Sequence, residues 1–587
     1  MRIKASLIAG SVLAVGIPAL AQQAAQPPAG LAPAPASAQP VSNIVATPPP
    51  SSLFSGPGES DTGLEQLTAD QLGPPSPPVE YPAHARRDPW VVGPLDPAAL
   101  GLGAEPWGTA SGTFLSSLMR RMDTPLASRW AHIALRNALL AKVRAPRSVN
   151  PVDWAAERAW LLLRLGEAEG ARLIVSGVDS DRFTPKMYQV GVQSALANAD
   201  PPALCPLQDG IRKYDPAIRT LVSAMCASLS GEPESAAAQI DDARRRGHIG
   251  GIDLTLAEKV VGAGADTGRA VNIEWDPVDS LNAWRFGLAT ATGMAIPERL
   301  MTPASTQLRA FQARAPLFPA AQRLNSAQIA TGLGVFSSQS MVDLYSAIYD
   351  ATDPSDLPQT DAWQVRQAFV GKDREARLAA IRKLLDGAKD PLQHEAARAL
   401  VGRAATLIDP DPSLKEDAPE LIAAMLAAGY DWGAQRWEGA VLRMDGEAAD
   451  RSWAMLVLAA PDPSGLDLSA SRISRFVGRD KSPDKVRSAL LVAGLAGLGR
   501  INANAADSLS RRFSLGLGRQ SSWTRMIDAA AERGQSASVL VLTGTGLQTP
   551  NWADIPGAHL YHAISGLVRT RQDFTARMIA AEALART

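Results

Sequence analysis

Apolar positions recur at helical spacing along most of the chain. In 154–165, Ala155, Ala159 and Leu162 fall at i, i+4 and i+7, one face of a 3.6-residue period, and Arg158 and Arg164 point elsewhere. Gly166 stands where the chain must turn, because glycine alone takes positive φ at no steric cost. Ala168, Ala171, Val175 and Val178 then build a second apolar face. The pattern predicts a helical hairpin over 154–178. It returns over 221–247, where Ala224, Gly231, Ala236 and Ile240 take the places of Ala159, Gly166, Ala171 and Val175. The distance from Gly166 to Gly231 holds two units, since a helical hairpin needs roughly 30 to 40 residues. The intermediate unit falls on 184–198 and 203–213.

The same spacing predicts helices at 111–122, 127–143, 280–290, 305–313, 320–331, 341–351, 361–371, 375–387 and 391–407. It predicts others at 419–428, 432–444, 448–459, 468–476, 483–497, 503–514, 523–534, 558–568 and 574–586. Residues 88–107 read as an extended approach to the folded body. The segment 270–277 breaks the pattern and reads as a hinge. Pro410 and Pro412 make 409–413 a loop, because two prolines so close cannot sit inside a helix. The one strand candidate is 538–543 (SVLVLT), which reads equally well as a buried helix. The fold class is therefore all-α. Two helical-repeat regions are expected, 88–269 and 270–587. So many short amphipathic helices cannot share one ordinary core, and each is expected to bury its face against its neighbours in an elongated or curved α-solenoid of irregular antiparallel hairpins.

Ala159, Leu162, Gly166, Ala171 and Val175, and again Ala224, Ala227, Gly231, Ala236 and Ile240, give the chain a pattern that resembles tetratricopeptide (TPR) repeat proteins. The departures are Arg158 and Ser223 where that family has a large residue, and the absence of its closing proline. Weaker echoes follow at Leu442, Gly446 and Met455 and at Leu495, Gly499 and Ala505. The last is at Ile564, Leu567, Ala576 and Ala580, with Arg571 in place of the glycine. The resemblance implies stacked helix pairs and a concave surface that holds a peptide or protein.

The N-terminus changes the picture of where this body works. Arg2 and Lys4 precede an apolar run over 5–20, and Ala19-Leu20-Ala21 fits signal cleavage before Gln22. No cysteine follows the run, so a lipid anchor is not expected. No later apolar run is long enough to span a bilayer, which takes about 20 residues. Residues 1–21 thus read as a Sec-type bacterial signal peptide, and the mature protein as periplasmic or secreted. Residues 22–87 read as a Pro/Ala-rich linker that cannot bury enough apolar surface to order itself. Within it, Leu64, Leu67 and Leu72 mark a patch that is either a docking peptide or plain linker. The whole chain has 587 residues and a formal net charge of −1, so no strong field favours nucleic acid. Two cysteines, Cys205 and Cys226, are the only ones. An isolated pair in an oxidising compartment reads as a disulfide.

Candidate chemistry is sparse. His394 and Glu395 begin like the zinc-protease pattern H-E-x-x-H, but Arg398 replaces the second ligand, and the metal loses its two-point hold. His559 and His562 share a helix face without an evident third ligand. Ser482-Pro483-Asp484-Lys485 fits S-x-x-K and fits a helix start better, with Ser482 as N-cap and Pro483 first in the helix. The glycines Gly262, Gly264 and Gly268 follow a helix rather than a strand, so the phosphate-loop mechanism is missing. Glu59 precedes Ser60, as in lytic transglycosylases, but in the linker. No catalytic residue, cofactor or metal is assigned. The reading is an exported, non-enzymatic helical-repeat scaffold for a protein or peptide partner in the cell envelope. The alternative is the superhelical part of a peptidoglycan- or polysaccharide-acting envelope enzyme.

Overall fold

The computed structural model describes residues 82–587 except 215, 247–248 and 266–271. Residues 1–21, expected to be a signal peptide, residues 22–81 of the expected linker 22–87, and the first two residues of the 270–277 break lie outside the described residues. The rest is predominantly helical, as expected. Among the described residues the only named strands are Val91–Val92 and Val143–Arg144, which pair antiparallel and fasten the extended approach to the body. The segment SVLVLT lies in a helix, Ser536–Gly546, and is buried throughout.

The organising hairpin consists of Pro151–Arg164 and Ala168–Val175. Its first helix starts three residues earlier than the apolar pattern indicated. The Asn150 side chain accepts hydrogen bonds from Val152 N and Asp153 N, and Pro151 occupies the first turn, a strong start signal. Gly166 has φ 88°. The second hairpin, Pro216–Leu229 and Pro233–Arg246, turns at Gly231 with φ 84°. Between the two, Cys205 and Cys226 are bonded, with a Cα–Cα distance of 5.6 Å, tying the turn Pro201–Leu207 to the helix Pro216–Leu229.

One sequence expectation fails and a second holds in part, in both cases because a polar group finds partners that local pattern does not show. Arg158 does not point elsewhere. It is buried, with Nε donating to Leu139 O at 2.7 Å, Nη1 to Val92 O at 2.9 Å and Nη2 to Ala141 O at 2.9 Å. Ser482 and Pro483 open a single 3-10 turn, Pro483–Lys485, with Asp484 and Lys485 left-handed, and the α-helix begins only at Val486. Ser482 Oγ still accepts from Arg487 N at 3.1 Å, and Asp480 Oδ2 shares the capping by accepting from Ser488 N at 2.8 Å.

The packing also departs from stacking on sequence neighbours alone. The helix Arg129–Leu140, near the start of the body, packs on the closing helix Asp573–Ala585, on Ser536–Gly546 and on Ala320–Leu333. Elsewhere, bare glycine surfaces set helix spacing. A Cβ on Gly332 would meet Leu392 O at 2.4 Å, and one on Gly402 would meet Ala424 O at 2.3 Å. Those two contacts bring Ala320–Leu333 and Ala418–Ala427 against opposite sides of Pro391–Ala405. No helix among the described residues is long and apolar enough to cross a membrane.

Gly166→Val tests the hairpin. Its positive φ opposes any β-branched residue, and a Cβ there would meet the Ala310 Cβ at 2.8 Å. Thermal unfolding should show a loss of about 1–3 kcal/mol, with the low-temperature helical circular dichroism retained. An unchanged melting temperature would contradict the strained turn.

Candidate binding cleft and the ionic junction behind it

Helix Pro391–Ala405 starts cleanly. Asp390 accepts from Leu392 N and Gln393 N, and Pro391 fills the first turn. Its two faces do different work. Gln393, Ala396, Ala397 and Leu400, at i, i+3, i+4 and i+7, line a cleft of about 500 Å³. The facing wall is Ala321, Leu324, Asn325 and Gln328, the same spacing on Ala320–Leu333. Met341 and Tyr345 from Ser338–Ala351 close one end, with Asp361 and Lys389 at the rim.

The cleft is more polar than a core gap. Gln328 Nε2 sits 3.5 Å from the Tyr345 hydroxyl. Burial, reinforced by the Asp361 charge, pushes the Tyr345 hydroxyl up to about 12, so it stays protonated at neutral pH. Gln393 Oε1 accepts from Lys389 N at 3.0 Å, which fixes that amide in place. Asn325 is exposed at the mouth. Carboxamides offer a donor and an acceptor on one rigid plane, the complement of a peptide bond. What this arrangement supplies is directed hydrogen bonding above an apolar floor.

The opposite face of the same helix holds His394, Glu395 and Arg398, the residues of the incomplete H-E-x-x-H pattern. Arg398 forks onto Glu420, with Nε–Oε2 and Nη2–Oε1 both 2.9 Å, and donates from Nη1 to Ala585 O at 3.1 Å. Glu395 lies 3.6 Å from the same guanidinium. His394 Nε2 and Arg451 Nη2 approach Glu420 at 3.7 and 3.3 Å. Burial, with the Arg398 charge, lowers the His394 pKa. Residues 394, 395 and 398 therefore fasten the back of the cleft to Ala418–Ala427 and to the closing helix. The bidentate arginine, not a second histidine, is what this position needs.

The other sequence candidates do not converge. His562 Nδ1 pairs with Asp528 at 2.8 Å, whereas His559 packs on the Trp523 ring at 4.6 Å between centroids. Among the described residues no three His, Cys, Asp or Glu side chains are placed to hold a metal. Gly268 and the Glu59-Ser60 pair lie outside the described residues. Sequence reasoning missed Asn325, Gln328, Tyr345 and Glu420. The available signal was a polar residue at a position the helical period assigns to an apolar face, as at Gln328 and Gln393.

The chain matches no protein-family model, no curated protein and no solved structure.

The junction carries a signed pH dependence. Burial works to raise the Glu420 carboxyl, but the Arg398 hydrogen bonds and the charges of Arg398, His394 and Arg451 outweigh it and hold it below its ordinary value of 4.5. A depressed carboxylate contributes stability that is complete above the unfolded value and is lost as pH falls through the folded one. Glu420→Gln should therefore destabilise by about 1–3 kcal/mol at pH 7 and flatten part of the acid limb of a melting-temperature profile below pH 4.5. A variant with the wild-type acid limb would refute the clamp.

Proposed function

We propose that the protein is an exported, non-enzymatic helical scaffold of TPR-like hairpins that binds an extended segment of a partner protein in the cell envelope. The observation that carries this reading is the cleft between Ala320–Leu333 and Pro391–Ala405. It is a trough of about 500 Å³ with a regular four-residue row on each wall. Leu324, Met341, Leu384 and Leu400 supply the apolar floor, while Asn325, Gln328, Gln393 and Tyr345 supply oriented donors and acceptors. That combination suits a peptide: the amides hold its backbone and the floor takes its apolar side chains. Asp361 and Lys389 at the rim favour a segment with both charges. The signal-like N-terminus supplies the reading of compartment.

The test is a peptide array and a parallel glycan array probed with the whole chain, wild type and Gln328→Ala/Gln393→Ala. The expected result is binding to extended peptides that the double variant weakens roughly fivefold to a hundredfold, the equivalent of two net hydrogen bonds. Retention by glycans alone, or peptide binding indifferent to both substitutions, would overturn the reading.

A further inference from the structure

A second depression lies far along the chain from that cleft. It has a volume of about 490 Å³ and runs between the helix Gly112–Arg121 and the pair Ser522–Glu532 and Ser536–Gly546. Its floor is apolar, built from Phe114, Leu115, Met526, Ala530 and Leu542. Phe114 is 41% exposed on a helix whose other side is core. Arg525 and Arg533 line the same groove, and neither forms an ion pair among the described residues. The adjoining Glu532 is engaged elsewhere, with Arg569 at 3.5 Å. The groove therefore presents an apolar strip with two uncompensated positive charges along it. Its natural occupant has an apolar face and carboxylates beside it.

The chain itself carries such a segment. Residues 64–72 read LEQLTADQL, with Leu64, Leu67 and Leu72 on one helical face and Glu65 and Asp70 as its charges. No basic residue occurs in it. A series of contacts leads from its attachment point to the groove helix. Arg86 pairs with Asp181 at 2.9 Å, Thr184 Oγ1 donates to Asp153 at 2.6 Å, and Val149 packs on Gly112 at the start of the groove helix. The ten residues from Leu72 to Pro82 reach as far as about 33 Å when extended, ahead of the short helical turn Ala83–Ala85 that precedes Arg86. A tethered ligand faces the groove at an effective concentration of the order of millimolar, so even a weak fit is occupied.

We propose that the groove lined by Phe114, Met526, Arg525 and Arg533 is the docking site of the chain's own segment 64–72. Leu64, Leu67 and Leu72 lie on the apolar floor, and Glu65 and Asp70 pair with the two arginines. The segment thereby covers the exposed Phe114 and ties the N-terminal region to the last third of the body.

The experiment is disulfide trapping in the full chain, in which Cys205 and Cys226 are already bonded to each other. Leu67→Cys is combined with Ala529→Cys, a groove position. The control places the first cysteine instead at Ser76, nearer the anchored end. The expected result is a bridge within one molecule that forms faster at 67 than at 76. Arg525→Glu/Arg533→Glu should slow it about fivefold or more, the loss of two exposed ion pairs turned to repulsion. A bridge between two molecules would assign the groove to a second copy and overturn the proposal. A rate at 67 no greater than at 76 would overturn it as well. A second measurement leaves the body untouched: Leu64→Ser/Leu67→Ser/Leu72→Ser should raise hydrogen exchange in 522–532, and unchanged exchange counts against docking.

Discussion

One buried arginine joins an early helix of the body to the closing one. Arg129 is the first residue of its helix and is 4% exposed. Its Nε donates to Thr331 O at 2.9 Å and its Nη1 to Ala427 O at 2.6 Å, each a carbonyl in the last turn of a different helix. Its own backbone N–H donates at 2.8 Å to Glu582 on the closing helix, and Ser128 Oγ donates to the same carboxylate at 2.6 Å. Positive charge thus sits at two helix C-termini and negative charge at one N-terminus, the favourable sign in every case. Burial works to lower the Arg129 pKa, partly offset by the Glu395 and Glu582 charges, and to raise that of Glu582, partly offset by the Arg586 charge and by the hydrogen bonds from Ser128 and the Arg129 backbone. Such a group cannot be half-satisfied: a buried charge stripped of its partner costs far more than the intact junction contributes.

The same device recurs because the helices are short. Every helix C-terminus leaves four carbonyls without intrahelical partners, and a body of many short helices has many such ends to satisfy away from water. Arg158 closes the end of Arg129–Leu140, and Arg164 closes the end of Gly112–Arg121 through Met119, Arg120 and Met122. Arg500 and Arg577 converge on the end of Gly446–Ala459, at Val457, Ala460 and Ala459. An arginine has five donors in a fixed fork and keeps its charge when buried. Desolvation still leaves its mark, lowering Arg158 to about 9 and Arg164 and Arg500 to about 10. The cleft depends on this arrangement, since Arg398 fixes the back of the helix whose front carries Gln393.

The all-α character, the turns at Gly166 and Gly231 and the Cys205–Cys226 pairing were legible because they depend on local rules. Period, positive φ and cysteine count each act over a few residues. Helix starts were off by a few residues where a cap, such as Asn150, preceded the apolar pattern. The arginines were illegible for a different reason. Helical period places Arg158 off the apolar face, and only the neighbouring carbonyls, distant in sequence, make its burial favourable. The cleft was hidden in the same way, because Asn325 and Gln328 meet Gln393 only after Gly332 lets two helices approach. What a sequence pattern cannot contain is the contact between residues 129 and 582.

The central claim is that Arg129 couples four helices and thereby closes the body on itself. The direct measurement is native-state hydrogen exchange on the whole chain, wild type against Arg129→Met. If the claim is right, protection falls together in 129–140, 320–333, 418–427 and 573–585, by an amount equivalent to roughly 3–5 kcal/mol. Loss confined to 129–140, or no loss at all, would show that the four helices are held independently and would contradict it.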